Sequence, residues 1–192
     1  RDRIRTYPIL ITSLNFWLPT STFALSFSIF GIFFIGGPYI AVKVFNLSPT
    51  VMGIYLAAPA LGYVLGNILV SRIANLVSTK NLMVFGSLIL VLGPCSSLLL
   101  SNFFLHPLSF YLPILIMTFG SGIIWPASNA EIVKAIPHLA GSASGLGSAI
   151  MTLMSSFAAF LTGIYIEESN PMDFVCYFLI LVGLLSFFSS LC

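Results

Sequence analysis

Charged side chains are scarce in this sequence. Seven Lys or Arg and five Asp or Glu make up 6% of 192 residues, while 58% of the residues are hydrophobic. A soluble globular domain carries about 25% charged residues, so the composition excludes that class and indicates a polytopic membrane protein. The net charge of +2 reflects unequal loops and predicts no nucleic-acid-binding surface. We expect the lipid bilayer to surround most of the chain.

Residues of catalytic and metal sites are also few. His106 and His138 are expected on opposite faces of the membrane. The cysteines Cys95, Cys176 and Cys192 lie in apolar runs without C-x-x-C spacing, which argues against a disulfide or a metal site. No serine has a base in a pattern typical of nucleophilic catalysis. The sequence therefore predicts neither an enzyme nor a bound cofactor or metal.

The gaps between the charges can be counted as membrane spans. A spanning helix needs about 20 mainly apolar residues, and the gaps hold six such helices. This predicts an all-α membrane protein, with a cytoplasmic linker at residues 1–16 and a six-helix transmembrane bundle at residues 17–192. The predicted spans cover residues 17–41, 50–74, 81–101, 108–130, 139–165 and 174–192.

The positive charges lie mostly on one side of these spans. On that side are Arg1, Arg3, Arg5, Arg72, Lys80 and Lys134, while Lys43 is alone on the other. Because cytoplasmic loops carry the excess of Lys and Arg, both termini are predicted in the cytoplasm. No ionisable residue is expected at mid-membrane depth. A proton-coupled carrier needs one there, so this chain is not expected to supply the coupling acid.

Glycines, small residues and prolines recur inside the spans. Small residues four positions apart allow two membrane helices to approach closely, and a Gly-Gly-Pro frees backbone groups that must face protein or a water-filled cavity. The residues predicted to act in helix packing or as hinges are Gly36, Gly37, Pro38, Pro59, Gly62, Gly66, Gly120, Gly122, Pro126, Gly141, Gly145 and Gly147. Such spacing is also common in membrane bundles that have no other function.

Three stretches carry a resemblance to a known family. They are RTYPILITSLNF at 5–16, GGPYIAVKVFNLSPTVMGIYLAAPALGYVLGNILVSRI at 36–73, and GSGIIWPASNAEIVKAIPHLAGSASGLG at 120–147. In this order they resemble the linker, the seventh and eighth spans, and the tenth and eleventh spans of Bcr/CflA-like transporters. These bicyclomycin and chloramphenicol resistance proteins are drug:proton antiporters of the major facilitator superfamily. The resemblance implies the C-terminal six-helix half of a twelve-helix transporter, located in the inner membrane.

The resemblance also implies a mechanism and a set of site residues. The two halves would expose a shared cavity alternately to each side, and the absent N-terminal half would carry the acids that couple protons to a small-molecule substrate. The first, second, fourth and fifth spans would face this cavity, and the third and sixth would face lipid. The cavity candidates are Phe30, Phe34, Tyr39, Tyr55, Tyr63, Asn67, Trp125, Asn129 and Met151.

Simpler interpretations remain open. A phenylalanine often faces lipid, and a methionine often fills a core. A metabolite carrier of the same fold would differ in only a few cavity residues. A third hypothesis is a six-span protein without a transport role, either a structural partner or the remnant of a split gene.

Overall fold

Six long helices make up almost all of the computed structural model, which describes residues 10–135, 137–167 and 170–191. The helices are α1 (Leu14–Lys43), α2 (Pro49–Ile73), α3 (Thr79–Ser101), α4 (Pro107–Ala135), α5 (Ala140–Tyr165) and α6 (Pro171–Leu191). A 3₁₀ turn at Pro137–Leu139 leads into α5. All six helices are long and apolar enough to cross a membrane. The predicted all-α, six-helix architecture is confirmed.

The largest difference from the predicted spans is at the end of α4. The sequence assigned Glu131 and Lys134 to a loop, but α4 continues through both to Ala135. The Lys134 ammonium lies 3.2 Å from the Glu131 carboxylate, three residues earlier on the helix, a spacing that stabilises helices. The hydroxyl of Thr79 donates a hydrogen bond to the same carboxylate. These contacts hold the last turns of α4 against the start of α3.

Prolines do not interrupt the helices. Pro38 lies within α1, which continues as a helix to Lys43, and Pro59 lies within α2. Gly36 and Gly37, next to Pro38, are buried in the bundle. The carbonyl of Gly37 accepts a hydrogen bond of 2.8 Å from the Tyr111 hydroxyl of α4. The Gly-Gly-Pro segment therefore faces protein, as membrane helices require where a proline leaves backbone groups without their usual partners.

The helices pack in two groups of three. Helix α1 packs against α5 and α6, whereas α4 packs against α2 and α3. The groups meet where α1 contacts α4 and where α3 contacts α6. If α1, α2 and α3 exchange places with α4, α5 and α6, in that order, these same pairs of helices are in contact. Such internal symmetry is typical of the structural repeats from which secondary transporters are built.

Glycines create the closest helix contacts, and they do so inside each group. A Cβ added to Gly62 or Gly66 of α2 would overlap carbonyl oxygens of α4, and one added to Gly122 of α4 would overlap the carbonyl of Tyr63. Helix α4 meets α3 in the same way through Gly120. In the other group, Gly31 of α1 lies directly against the backbone of α5. Membrane helices associate through such close packing because lipid gives them no hydrophobic driving force.

Candidate functional site

Five aromatic rings from three helices lie together near the middle of the bundle. The Trp125 ring of α4 lies with its centroid 4.7 Å from Phe27 and 5.0 Å from Phe30 of α1, and 4.8 Å from Tyr63 of α2. Phe23 approaches the same indole edge-on at 6.3 Å. These separations are within the range in which aromatic pairs attract. We call these five residues the central aromatic cluster.

The spacing of the phenylalanines on α1 explains this arrangement. Phe23, Phe27, Phe30 and Phe34 lie four, three and four residues apart, so all of them lie on one face of the helix. That face points toward Trp125 over most of its length. Phe34 continues the row, 6.0 Å from Phe30, but its side chain is 66% exposed. The row of phenylalanines on α1 therefore packs against Trp125 over most of its length and is exposed at its Phe34 end.

Hydrogen-bonding groups without partners line the α4 side of the cluster. In the described part of the chain, the Ser121 and Ser128 hydroxyls and the Trp125 indole nitrogen are buried with no hydrogen-bond partner. Their spacing of four and three residues puts them on one stripe of α4. Buried polar groups are nearly always paired in folded proteins. These three unpaired groups lie beside the aromatic rings. This arrangement indicates that they can form hydrogen bonds with a molecule that is not part of the bundle.

Two of the predicted site tyrosines, Tyr39 and Tyr55, lie toward the end of the bundle that carries Lys43. Tyr55 of α2 packs against Tyr111 of α4 with ring centroids 5.1 Å apart. Tyr39 is half-buried and packs against the largest apolar core of the bundle. Tyr111 is itself buried and is anchored by its hydrogen bond to Gly37. Tyr55 and Tyr111 form a second aromatic pair, which Phe33 links to Phe34 and through it to Phe30 of the central cluster.

The remaining predicted site residues surround the central cluster. Asn67 lies one turn beyond Tyr63 and donates a hydrogen bond of 3.0 Å to the Tyr63 carbonyl. Asn129 lies one turn beyond Trp125 and is exposed. Both asparagines are displaced in the same direction, toward the end of the bundle that carries Arg72, Lys80 and Lys134. Met151 of α5 is half-buried and packs against the apolar cluster that includes Phe23.

The residues predicted for packing divide into two sets. Close contacts within the chain involve Gly36, Gly37, Gly62, Gly66, Gly120 and Gly122, and an added Cβ at Gly147 would lie 3.4 Å from the Ile132 side chain. Pro59 is buried and Pro126 is half-buried. In contrast, an added Cβ at Gly141 or Gly145 would meet no atom within 4 Å. The last two glycines therefore make no close packing contact with the described helices.

Several residues of the site were not among the sequence candidates. Phe23 and Phe27 follow the same periodicity as Phe30 and Phe34, and that signal was sufficient to include them. Ser121 and Ser128 share a helical stripe with Trp125, which the spacing also shows. Tyr111 has no comparable signal, because its importance depends on which helix lies beside α4.

Ionisable residues are absent from the depth of this site. In the described helices, Lys43, Arg72, Lys80, Glu131, Lys134 and Asp173 all lie within five residues of a helix end. The central cluster is therefore an uncharged surface of rings, hydroxyls and amides. It offers apolar contact and hydrogen bonds, but it cannot bind or release a proton at neutral pH.

Six helices of membrane length, packed with an internal repeat, are typical of secondary transporters. The sequence model of the Major Facilitator Superfamily matches residues 2–159. The chain belongs to this superfamily of multi-pass membrane transporters. It is similar to the "Uncharacterized MFS-type transporter YdgK" of Bacillus subtilis (strain 168), with 24% identity over 155 residues. The match covers 80% of this chain and 38% of that relative, so the chain spans well under two thirds of its length.

Proposed function

We propose that this chain forms the C-terminal half of a small-molecule efflux transporter that exchanges its substrate for protons, of the Bcr/CflA-like branch. The central aromatic cluster carries this proposal. It lies near the middle of α1, α2 and α4, the depth at which such transporters bind their substrates. It is open at Phe34, where the exposed ring can contact a ligand without displacing another helix.

The chemistry of the cluster favours a particular class of substrate. Rings from Phe27, Phe30, Tyr63 and Trp125 offer broad apolar contact, which suits flat or branched apolar molecules. The indole nitrogen of Trp125 can donate a single hydrogen bond, and the Ser121 hydroxyl can donate or accept. We infer a substrate with an apolar or aromatic body and a few hydrogen-bond acceptors, and without a requirement for charge.

Proton coupling requires a second component. A group that binds and releases the proton must change charge within the pathway, and the sequence places none at mid-depth. We propose that an N-terminal six-helix half supplies this acid. In support of this proposal, the match covers only 38% of the relative's length.

The exposed faces of α2 and α5 are where this half would dock. The most apolar windows of α2 and α5 are only 22% and 17% buried, compared with 67% for α4. On α5 the exposed residues include Gly141, Gly145, Ser148 and Thr152, spaced along one face. Small residues at the surface suit a close helix contact, and no described helix makes one there.

We also propose that the protein lies in the inner membrane with both termini in the cytoplasm. Among the described residues, Arg72, Lys80 and Lys134 lie at one end of the bundle and Lys43 at the other. This bias follows the positive-inside pattern. Labelling of a cysteine placed at Arg72 from outside intact cells would contradict the orientation.

Transport by the full-length protein in proteoliposomes tests the function. With a pH gradient imposed, we expect chloramphenicol to accumulate, and dissipation of the gradient should abolish accumulation. Trp125→Ala should reduce the rate at least about tenfold, because it removes the ring that the other aromatics contact. Trp17→Ala is the matched control, since Trp17 is exposed near the start of α1 and donates a hydrogen bond to the Ile11 carbonyl.

Two outcomes would contradict the proposal. Equal transport by Trp125→Ala and wild-type protein would remove the central cluster from the substrate pathway. Accumulation of a polar metabolite in place of apolar drugs, still dependent on Trp125, would assign the same site to a metabolite carrier.

A further inference from the structure

The loop between α3 and α4 exposes three consecutive apolar residues. Phe103, Phe104 and Leu105 are 79%, 58% and 66% exposed. None of the three belongs to an apolar core of the described helices. A contiguous apolar patch on a protein surface usually marks contact with another molecule or with a membrane.

The loop between α1 and α2 lies at the same end of the bundle and has a different character. Its apolar residues Val44, Phe45 and Leu47 pack against the largest core of the bundle. Its exposed residues are Asn46 and Ser48, which are polar. The exposure of apolar residues is therefore a property of the α3–α4 loop and not of this end of the bundle in general.

The lengths of the helices set the depth of the α3–α4 loop in a membrane. Helix α3 has 23 residues, which is about 34 Å at 1.5 Å per residue and slightly exceeds the hydrocarbon thickness of about 30 Å. The loop itself has no Lys, Arg, Asp or Glu, and the nearest charged residues in the sequence are Lys80 and Glu131. Both belong to the opposite ends of the helices that the loop joins. The loop is therefore at the boundary between hydrocarbon and headgroups, without a charge to hold it in water.

The backbone of the loop forms hydrogen bonds within the chain. The N–H groups of Phe103 and Phe104 both donate to the Leu100 carbonyl, and the His106 N–H donates to the Phe104 carbonyl. The next residue, Pro107, has no N–H group. Because unpaired backbone groups are costly in an apolar medium, these bonds reduce the free energy needed to remove the loop from water.

A groove beside the loop has the character of an acyl-chain site. It has a volume of about 410 Å³ and is lined by Leu100, Phe104, His106, Leu108, Ser109 and Leu112. Its polar side chains are engaged with the backbone. The His106 Nδ1 accepts a hydrogen bond from the Leu108 N–H, and the Ser109 hydroxyl donates to the His106 carbonyl. The groove therefore presents mainly apolar contact, continuous with the exposed residues of the loop.

We propose that residues 102–106 are inserted into the lipid leaflet at the Lys43 end of the bundle, with a phospholipid acyl chain in the groove beside them. Phe and Leu are among the residues that bury themselves at the boundary between headgroups and acyl chains. The position of the loop brings it to that boundary, and its lack of charge favours lipid over a protein partner. This interaction is independent of the proposed substrate site, because none of these residues belongs to the central aromatic cluster.

Thiol labelling of the full-length protein in dioleoylphosphatidylcholine vesicles tests whether the loop is in water. A membrane-impermeant charged maleimide should label Ser48→Cys at least about tenfold faster than Phe103→Cys, because a thiol in apolar surroundings forms little thiolate. Both rates are measured above the labelling of the parent protein. Ser48 is the matched control, since it is exposed in a loop at the same end and its side chain makes no capping bond. The orientation of the protein in the vesicle therefore affects both variants equally.

Phe103→Trp tests whether lipid is what excludes the water. This change keeps an aromatic ring at an exposed position and requires no label. In vesicles of a dibrominated phosphatidylcholine, the emission that the variant adds to that of the parent should fall by about half or more, because the ring lies near the acyl chains.

Leu105→Asn, combined with Phe103→Cys, should raise the rate of labelling at position 103 severalfold. Leu105 is exposed and does not line the groove, so its replacement removes apolar contact with lipid without adding a charge near the thiol. An unchanged slow rate would argue against anchoring of the loop by its apolar side chains.

Two further outcomes would overturn the proposal. Equal labelling of Phe103→Cys and Ser48→Cys would place the loop in water. Slow labelling of Phe103→Cys without bromine quenching of Phe103→Trp would show that protein covers the loop, either a second copy or another part of the full-length chain.

Discussion

The buried hydroxyl of Ser121 differs from most other buried hydroxyls of this bundle. Its hydroxyl has no hydrogen-bond partner in the described part of the chain, whereas the buried hydroxyl of Ser28 on α1 donates 2.8 Å to the Ala24 carbonyl. Most buried serines and threonines of this bundle bond back to their own helix in this way. The unpaired group on α4 is therefore unfavourable for the stability of this conformation.

Ser121→Ala is expected to raise stability. Removing an unpaired buried hydroxyl should recover about 1 kcal/mol, which corresponds to an increase of about 2–4 °C in the unfolding midpoint for a chain of this size. Ser28→Ala, which removes a paired hydroxyl at an equally buried position, should leave the midpoint unchanged or lower it. Thermal unfolding in detergent measures both. A larger loss with Ser121→Ala than with Ser28→Ala would contradict the expected order.

At this scale, part of the central aromatic cluster could be predicted from the sequence. Helical periodicity is sufficient to align Phe30 with Phe34, and it would have aligned Phe23, Phe27, Ser121 and Ser128 too. It cannot identify which residue of a neighbouring helix completes a contact. Tyr111 was missed for this reason, because its hydroxyl bonds to a carbonyl 74 residues away in sequence.

Among the helices, the pair α2 and α4 has the closest packing in its group. Gly62 and Gly66 of α2 lie against the α4 backbone, and Gly122 of α4 lies against that of α2. Any side chain larger than hydrogen at these positions must push the two backbones apart. Gly53 lies on the same helix α2 but has open space where a Cβ would be, so it provides an internal comparison.

Gly66→Val should destabilise the bundle by about 3 kcal/mol, since overpacking at a rigid backbone contact costs this much or more. Gly53→Val should change stability by less than about 0.5 kcal/mol, as exposed substitutions do. Denaturant titration of both variants in the same detergent gives the comparison. Similar losses for the two would show that the α2–α4 contact does not limit stability.

The number and approximate ends of the helices could be predicted from hydropathy because six apolar runs are separated by charges. The end of α4 could not, since its last turns are held by the hydrogen bond from Thr79 of α3 to Glu131, a contact between two helices. The partners of the glycines could not be predicted either. Gly66 and Gly145 both occur at small-residue spacing, but of the two only Gly66 lies against one of the described helices.

For the whole molecule, the most informative feature is the pair of sparsely covered helices, α2 and α5. A bundle of this size in lipid has no general requirement to cover apolar residues, so exposure alone does not require a partner. The small residues on α5 are more specific. The side chains on this surface are small or absent, so a neighbouring helix can approach closely.

Gly145→Leu tests for that neighbour. In this chain alone, leucine has open space and is a better helix former than glycine, so stability should be unchanged or higher. In the full-length protein, the same change should cost about 2 kcal/mol if a second half packs there. Leu92→Phe, at an exposed position on α3, is the control for added bulk at a lipid-facing site. Thermal unfolding of this chain and of the full-length protein gives the result. An equal response in chain and full-length protein would place no partner at this face.

The location of the backbone contacts has a mechanical consequence. In the described chain, the glycines that bring one helix backbone against another lie within the two groups of three helices, at Gly31 in one and at Gly62, Gly66, Gly86, Gly93, Gly120 and Gly122 in the other. The boundary between the groups is formed mainly by side chains. Where α1 meets α4, these are aromatic rings and unpaired hydroxyls. Where α3 meets α6, leucine and valine methyl groups pack against Gly183. Sliding one group of three helices past the other therefore requires rotamer changes and the loss of the Tyr111–Gly37 hydrogen bond. Separating the helices inside a group would break the closer contacts between backbones.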